Sequence, residues 1–282
     1  MKLNILCIGD IVGRPGRKIL ADKLPSIKKQ YNVDCIIANA ENAAGGSGIT
    51  PQIYEKLLRY GIDLITTGDH VFRKKDIIAT LEVQDNIVRP ANLSAFAAGK
   101  GFAIFQTEKG PIVAVICLIG RVFMKPAECP FNTIDQLLGK VSREADIVVV
   151  DFHGEATSEK IAMGYYLDGR VGVCFGTHTH VTTADERILP KGTAYITDIG
   201  MTGGHDSVLG RKSENVIKSM RTQMPVPFEI ATGDVRISAI LATVDTLTKR
   251  AEKIERICVA EQYEDTTSYD SDDGKAEPYN GF

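Results

Sequence analysis

Short β-branched runs alternate with helical patterns through the N-terminal third of the chain, and this alternation limits the possible folds more than any other feature. The runs cover residues 2–8, 34–38, 63–67 and 86–88, and the spacing between them predicts helices over 17–31, 51–60 and 74–82. Thr50 ahead of Pro51 reads as an N-cap with proline in the first turn, and Gly61 reads as the stop of the same helix. Strands separated by helices imply parallel pairing, because parallel neighbours need a long crossover, and a parallel sheet covered on both faces.

The middle of the chain changes character. Residues 101–106 and 112–118, joined through Glu108-Lys109-Gly110-Pro111, read as a hairpin. A helix over 134–143 precedes the strongest strand pattern, 145–152; a helix near 158–167 then leads to a strand over 171–175. The last third is strand-rich, with runs at 193–198, 234–245 and 252–259, the last two around a turn at 246–250. No internal repeat is visible. The expected fold class is α/β, a two-layer or sandwiched arrangement with helices outside and mixed parallel and antiparallel strands.

With 282 residues, 44% of them hydrophobic and 24% charged, the chain can bury the core of one large domain or two small ones. No apolar run approaches the ~18 residues of a membrane span, and the N-terminus enters a strand pattern without the sections of a signal peptide. None of the six cysteines forms a Cys-x-x-Cys pair, and Cys7, Cys35, Cys117 and Cys174 lie in apolar runs as expected of buried thiols. A reducing cytoplasm is the expected location. The formal charge of −3 is uneven: residues 261–282 hold seven acidic groups and one lysine, leaving 32 basic and 29 acidic groups in residues 1–260. The division expected is a domain over 1–260 and an acidic tail over 261–282, disordered or loosely attached. A body of that charge without basic clusters gives no support for a dedicated nucleic-acid groove.

Polar residues gather where the strand patterns end. They are Gly9-Asp10, Asn39-Ala40-Glu41-Asn42, Gly68-Asp69-His70, Asp151-Phe152-His153 and Gly176-Thr177-His178-Thr179-His180. The carboxyl ends of parallel strands share one sheet edge, where ligands bind in open α/β folds. Carboxylates, an amide and imidazoles converging there suit Fe, Mn or Zn better than Mg or Ca. Each piece alone has a plainer reading: a strand-end Asp often caps the next helix, and a single histidine is more often structural. His178 and His180 differ, because a spacing of two on a strand places both rings on one face. His205 has no such partners in sequence and reads as structural.

Taken in order, Gly9-Asp10, Gly68-Asp69-His70, the downstream His153 and Gly176-Thr177-His178-Thr179-His180 resemble the signatures of calcineurin-like metallophosphoesterases. The stretch Asn39 to Gly46, with Arg89-Pro90-Ala91-Asn92 and Gly200-Met201-Thr202-Gly203, is similar more narrowly to the bacterial YmdB family of that superfamily. The similarity covers residues 1 to about 260. It implies a four-layer α/β-sandwich holding two divalent or transition-metal ions, iron or manganese in the first place and zinc as a further candidate. By the same resemblance Glu41 matches the bridge between the metals; Asp10, Asn42 and His180 match ligands of one, and Asp69, His153 and His178 ligands of the other. His70 matches the catalytic acid. The chain departs from the wider superfamily at Val12, where an Asp-x-His motif would place histidine, and at Asp69, where asparagine is usual. A carboxylate at 69 adds negative charge, which favours the metal and disfavours a phosphate.

The activity implied is that of a phosphodiesterase on a small phosphate ester, a cyclic nucleotide, with a metal-bridging hydroxide as nucleophile and His70 supplying the leaving group's proton. Arg14, in Gly13-Arg14-Pro15-Gly16-Arg17, and Arg121, after Gly120, are candidate substrate contacts. The 13–17 segment reads as a loop that could cradle phosphate, although it lacks a nucleotide-binding fingerprint. A metal-bound regulatory or scaffold protein with weak phosphatase activity is the alternative, favoured modestly by Asp69 and the acidic tail. A dehydrogenase-like nucleotide binder is disfavoured by the missing glycine fingerprint. Assembly into a homo-oligomer is left open.

Overall fold

The computed structural model describes residues 1–261, so the expectation for the acidic tail lies, apart from Glu261, outside the described residues. The first half runs β1 (Lys2–Ile8), β2 (Asp10–Ile11), α1 (Gly13–Gln30), β3 (Cys35–Asn39), α2 (Pro51–Arg59), β4 (Leu64–Thr66), α3 (Ile77–Val83) and β5 (Ile87–Val88). There follow β6 (Phe102–Gln106), β7 (Ile112–Ile119), α4 (Pro130–Val141), β8 (Ile147–His153), α5 (Thr157–Leu167) and β9 (Val173–Thr177). The chain continues through β10 (Arg187–Ile188), β11 (Ala194–Ile196), β12 (Met201–Gly204), α6 (Ser213–Thr222), β13 (Val235–Asp245) and β14 (Ala251–Glu261).

Local chemistry explains most boundaries. Thr50 caps α2 by accepting from the Ile53 N–H at 3.3 Å, with Pro51 in the first turn. Gly61 follows α2 with φ +98°, a conformation that costs glycine little. α1 starts at Gly13, a turn earlier than the pattern at 17–31 implies, so the segment expected as a loop at 13–17 is helix. Pro15 falls in that first turn, where its missing N–H would have had no intrahelical partner.

Two mixed sheets result. In the first, β1, β3, β4 and β5 lie side by side in parallel, and β13 pairs antiparallel with β1. β14 covers the far edge of β13, while β12 and β2 extend the other side. The second sheet has the order β10-β11-β9-β8-β7-β6, parallel from β11 to β7 and antiparallel at both ends.

The sheets face each other across one buried cluster that includes Leu3, Ile5, Cys7 and Ile37 from the first and Val115, Val149 and Phe175 from the second. The alternate residues Leu6 and Ile8 join Leu20 and Leu24 of α1 and Ile53 and Leu57 of α2 in a separate cluster. On the far side, Ile116, Val148 and Val150 pack with Ile134 of α4 and Met163 and Leu167 of α5. Helices therefore cover one face of each sheet, and the opposite sheet covers the other. This is a sandwiched arrangement with helices outside; cover of the parallel strands by a second sheet, and not by helices on both faces, is the detail that the N-terminal alternation left open. The two arrangements bury both faces of a strand alike, so strand hydrophobicity does not distinguish them. Cys7, Cys35, Cys117 and Cys174 are buried free thiols, as expected. Among the described residues no helix is long and apolar enough to cross a membrane.

Coverage of both faces can be tested on β1. Ile5 and Leu6 point to opposite faces and both are fully buried. Ile5→Ala and Leu6→Ala should each lose roughly 2–5 kcal/mol in urea unfolding. A near-neutral result for either would show that its face is not packed.

Candidate metal centre

Five strand ends deliver the polar side chains. Asp10 follows β1, Glu41 and Asn42 follow β3, and Asp69 and His70 follow β4, all in the first sheet. His153 ends β8, and His178 and His180 follow β9, in the second. The site thus spans the rim of the apolar layer between the sheets. Gly68 fixes the space at its middle: a Cβ there would overlap Glu41 Oε2 and the His153 ring.

Glu41 is buried at the centre. His153 Nε2 lies 3.2 Å from Glu41 Oε1 and 3.3 Å from Asp69 Oδ1. His178 Nδ1 lies 3.1 Å from His153 Nε2 and 3.5 Å from Asp69 Oδ1. One ligand atom each from Glu41, Asp69, His153 and His178 falls within 4.8 Å of the others, a spacing that fits a single ion. On the other side of Glu41, Asn42 Nδ2 donates to Glu41 Oε1 at 3.2 Å and faces His180 Nε2 at 3.1 Å. Asp10 is buried behind them; among the described residues its Oδ1 has no hydrogen-bond partner, and His180 Nε2, at 3.8 Å, is too far to bond it. His70 lies over this group, its Nδ1 donating to Asn42 Oδ1 at 2.7 Å and its backbone N–H to Glu41 Oε2 at 3.0 Å.

His153 and His180 are each anchored by a hydrogen bond on the outer nitrogen, and the outer nitrogen of His178 faces a carboxylate. His153 Nδ1–H donates to Thr177 Oγ1 at 2.8 Å, and Thr177 in turn donates to Asp151 Oδ1 at 2.7 Å. His178 Nε2 is 3.3 Å from Glu155 Oε2, and His180 Nδ1–H donates to the Leu209 carbonyl at 3.1 Å. The nitrogen left over in each ring points inward, where it offers its lone pair to a metal once it is deprotonated. This is how metal-binding histidines are oriented, with an outer acceptor fixing tautomer and ring angle. Together with the partnerless Asp10 oxygen and the gap kept by Gly68, it makes the donor set fit a metal centre.

Charge balance points the same way. Burial alone would raise Glu41, but the His153 and His70 rings beside it bring its carboxyl down to about 2. Asp69 is held far below the usual range against burial by hydrogen bonds from His153 and His178. Burial would lower His153, yet Glu41 and Asp69 raise it well above an ordinary imidazole. Asp10 is pushed up to about 7, first by burial and then by Glu41 and Asp198, against the pull of His153.

The structure brings together Asp10, Glu41, Asn42, Asp69, His70, His153, His178 and His180, but one step of the sequence argument fails. β9 ends at Thr177, and His178 and His180 leave it with φ of +98° and +64°. They are not two residues on one face of a strand; His178 turns to Asp69 and His153, and His180 to Asn42. Arg14 and Arg121 lie on segments that adjoin the cluster. Arg14 is half-buried in the first turn of α1, beside the bond from Gly13 N–H to the Asn42 carbonyl at 2.9 Å. Arg121 is exposed, just after Gly120, whose N–H donates to the His153 carbonyl at 2.8 Å. The sequence reading missed Glu155, Lys160 and Asp198 as supports. It also missed that role for Asp151, although a carboxylate two residues before His153 in an apolar strand places both on one face of β8.

Cations need deprotonated ligands, so metal uptake should release protons. Asp10, pushed up to about 7, is about half protonated at neutral pH, and His153, raised well above an ordinary imidazole, holds its proton in the metal-free protein. Metal affinity should therefore weaken as pH falls from about 8 to 6, as protons compete for these ligands. Calorimetric titration with Mn²⁺ in buffers of different ionisation enthalpy measures the released protons. Affinity independent of pH, with no proton release, would contradict this assignment.

Comparison with known proteins bears on the whole chain. The sequence profile described as YmdB-like protein matches residues 6–257. The 2′,3′-cyclic-nucleotide 2′-phosphodiesterase of Bacillus subtilis (strain 168) is 45% identical over 261 residues, spanning 93% of this chain and 98% of that protein. A crystal structure of a hypothetical protein from Thermus thermophilus superposes with a TM-score of 0.86 at 39% identity, covering 92% of this chain and 100% of the other. A structure described as a novel phosphatase, from Mycoplasma pneumoniae, gives a TM-score of 0.86 at 36% identity, with coverage of 93% and 95%. With its profile matched from the first strand to the last hairpin, the chain belongs to the YmdB-like family.

Proposed function

We propose that the chain is a dinuclear-metal phosphodiesterase that hydrolyses cyclic nucleotides. The observation that carries this reading is the convergence of three histidines, one amide and two further carboxylates on Glu41. The activity named for the Bacillus subtilis relative supports the substrate class. Glu41 would lie between two ions, with Asp10, Asn42 and His180 holding one and Asp69, His153 and His178 the other. The mixture of nitrogen and carboxylate donors favours iron or manganese, with zinc as a further candidate. Bound there, the ions would acidify a water molecule to serve as nucleophile at neutral pH and polarise the phosphate oxygens. In this reading the packing of helices, sheet, sheet and helices is the four-layer α/β-sandwich of the metallophosphoesterases. Residues 1–260 form the catalytic domain, and free, buried thiols suit a cytoplasmic enzyme.

The chain's own groups supply the rest. His70 uses Nδ1 on Asn42 Oδ1, and its Nε2, 3.6 Å from Asp69 Oδ2, carries the proton for the departing oxygen. The ring is half-buried, so it can be reprotonated from solvent between turnovers. Arg14 and Arg121 are proposed to meet the substrate's phosphate from the two sides of the rim.

Hydrolysis of bis-p-nitrophenyl phosphate and of 2′,3′-cyclic nucleotides tests this. His70→Ala should retain its metals and lose about 10²–10⁴-fold in kcat, the usual contribution of a positioned acid. Full activity in His70→Ala would remove its role as proton donor. A metal-loaded wild-type protein with no turnover of either diester would favour the regulatory alternative instead.

A further inference from the structure

Lys160 and Asp198 are an ion pair at the base of the metal site, with both side chains only 1% exposed. Lys160, on α5, reaches Asp198 Oδ2 at 2.5 Å and the Thr177 carbonyl at 2.7 Å. The same Oδ2 accepts from the Thr179 N–H at 3.2 Å and the Thr179 hydroxyl at 2.8 Å. Oδ1 accepts from the Gly200 N–H at 2.7 Å. The pair therefore grips the backbone on both sides of His178: Thr177 before it and Thr179 after it.

That grip falls where the chain is least inclined to stay. His178 and His180 both have positive φ, a region that non-glycine residues enter only when the surroundings hold them there. A continued strand would be the relaxed alternative, and it would turn the two rings to a common face. We infer that the Lys160–Asp198 pair is a positioning device that keeps His178 and His180 in the conformation able to bind metal. The inference rests on the metal-centre reading of the site.

The chemistry of the pair separates this role from simple stabilisation. A buried ion pair is a poor way to glue a helix to a sheet, and apolar residues of similar volume often do as well or better. Apolar residues could not accept from Thr179 and Gly200 or donate to Thr177. Both carboxylate oxygens of Asp198 face donors only, so an amide would turn its NH₂ toward one of them. Asp198→Asn must break either the Thr179 or the Gly200 contact.

The test uses the full-length protein as Asp198→Asn, Lys160→Met, their double variant and Thr179→Val. Mn²⁺ affinity of the metal-free protein, the absorption spectrum of the Co²⁺-loaded form and the Tm of the metal-free form are measured together. Asp198→Asn and Lys160→Met should each weaken Mn²⁺ binding by about tenfold or more, as loss of supporting contacts around metal ligands does. The double variant leaves no unpaired buried charge, so it should regain Tm without regaining affinity or the wild-type Co²⁺ spectrum. Thr179→Val, which deletes one hydroxyl, should fold and lose several-fold in affinity at nearly unchanged Tm; it decides the matter should the buried variants not fold. Wild-type affinity and Co²⁺ spectrum in the double variant, or in Thr179→Val, would overturn the positioning role while leaving the metal reading intact. A wild-type protein that binds no Mn²⁺ would overturn both.

Discussion

A carboxylate buried at the meeting point of two sheets governs this structure. Glu41 is almost inaccessible to water, and an ionised carboxylate in such a place is tolerable only with opposite charge and donors around it. The protein arranges the His70 N–H, the Asn42 amide and the His153 ring against it. Asp69 adds negative charge to the same small volume, and Asp10, pushed up to about 7 by burial and by Glu41, adds more as it ionises. Such a concentration of acidic groups stores an electrostatic demand that a multivalent cation meets directly.

The fold brings these groups together by stacking two sheets with their strand ends on a common rim. The apolar layer between the sheets gives way there to polar links that cross it. Asn39 of β3 donates to Asp151 of β8 at 3.2 Å, Thr66 of β4 also donates to Asp151, and the Cys117 thiol of β7 donates to the Thr67 carbonyl at 3.0 Å. Asp151 thereby ties the sheets together and, through Thr177, sets the angle of His153. Burial pushes the Asp151 carboxyl up to about 6, while His153 and the two threonine hydroxyls restrain the rise. Sheet packing and ligand orientation are thus carried by the same few side chains, and neither can move far without the other.

Much of this was legible in the residues. β1 was readable to the residue because Lys2 and Gly9 bound a run that is apolar except for Asn4, and α2 because Thr50, Pro51 and Gly61 act through local backbone chemistry. α6 was not: it carries few apolar residues, and only Val216 of it is buried. The ligand residues stood out because rare types cluster after strands. Their conformation did not: the spacing of His178 and His180 assumes that β9 continues, whereas Asp198, Lys160 and Asp10 hold the segment in a turn. Those contacts join parts of the chain far apart in sequence, and a lone lysine or aspartate carries no local mark of being buried. The stacking of two sheets stood in the residue patterns only as one of two open alternatives, because a strand covered by a sheet and one covered by a helix present the same apolar run.

The most direct test of the account is a crystal structure of the protein purified without chelator, with anomalous diffraction recorded at the iron and manganese edges. The account predicts two anomalous peaks about 3.5–4 Å apart on either side of the Glu41 carboxylate. One should lie among Asp69, His153 and His178, and the other among Asp10, Asn42 and His180. No metal at either position, or a single ion with Asp10 and His180 turned away from it, would contradict the account.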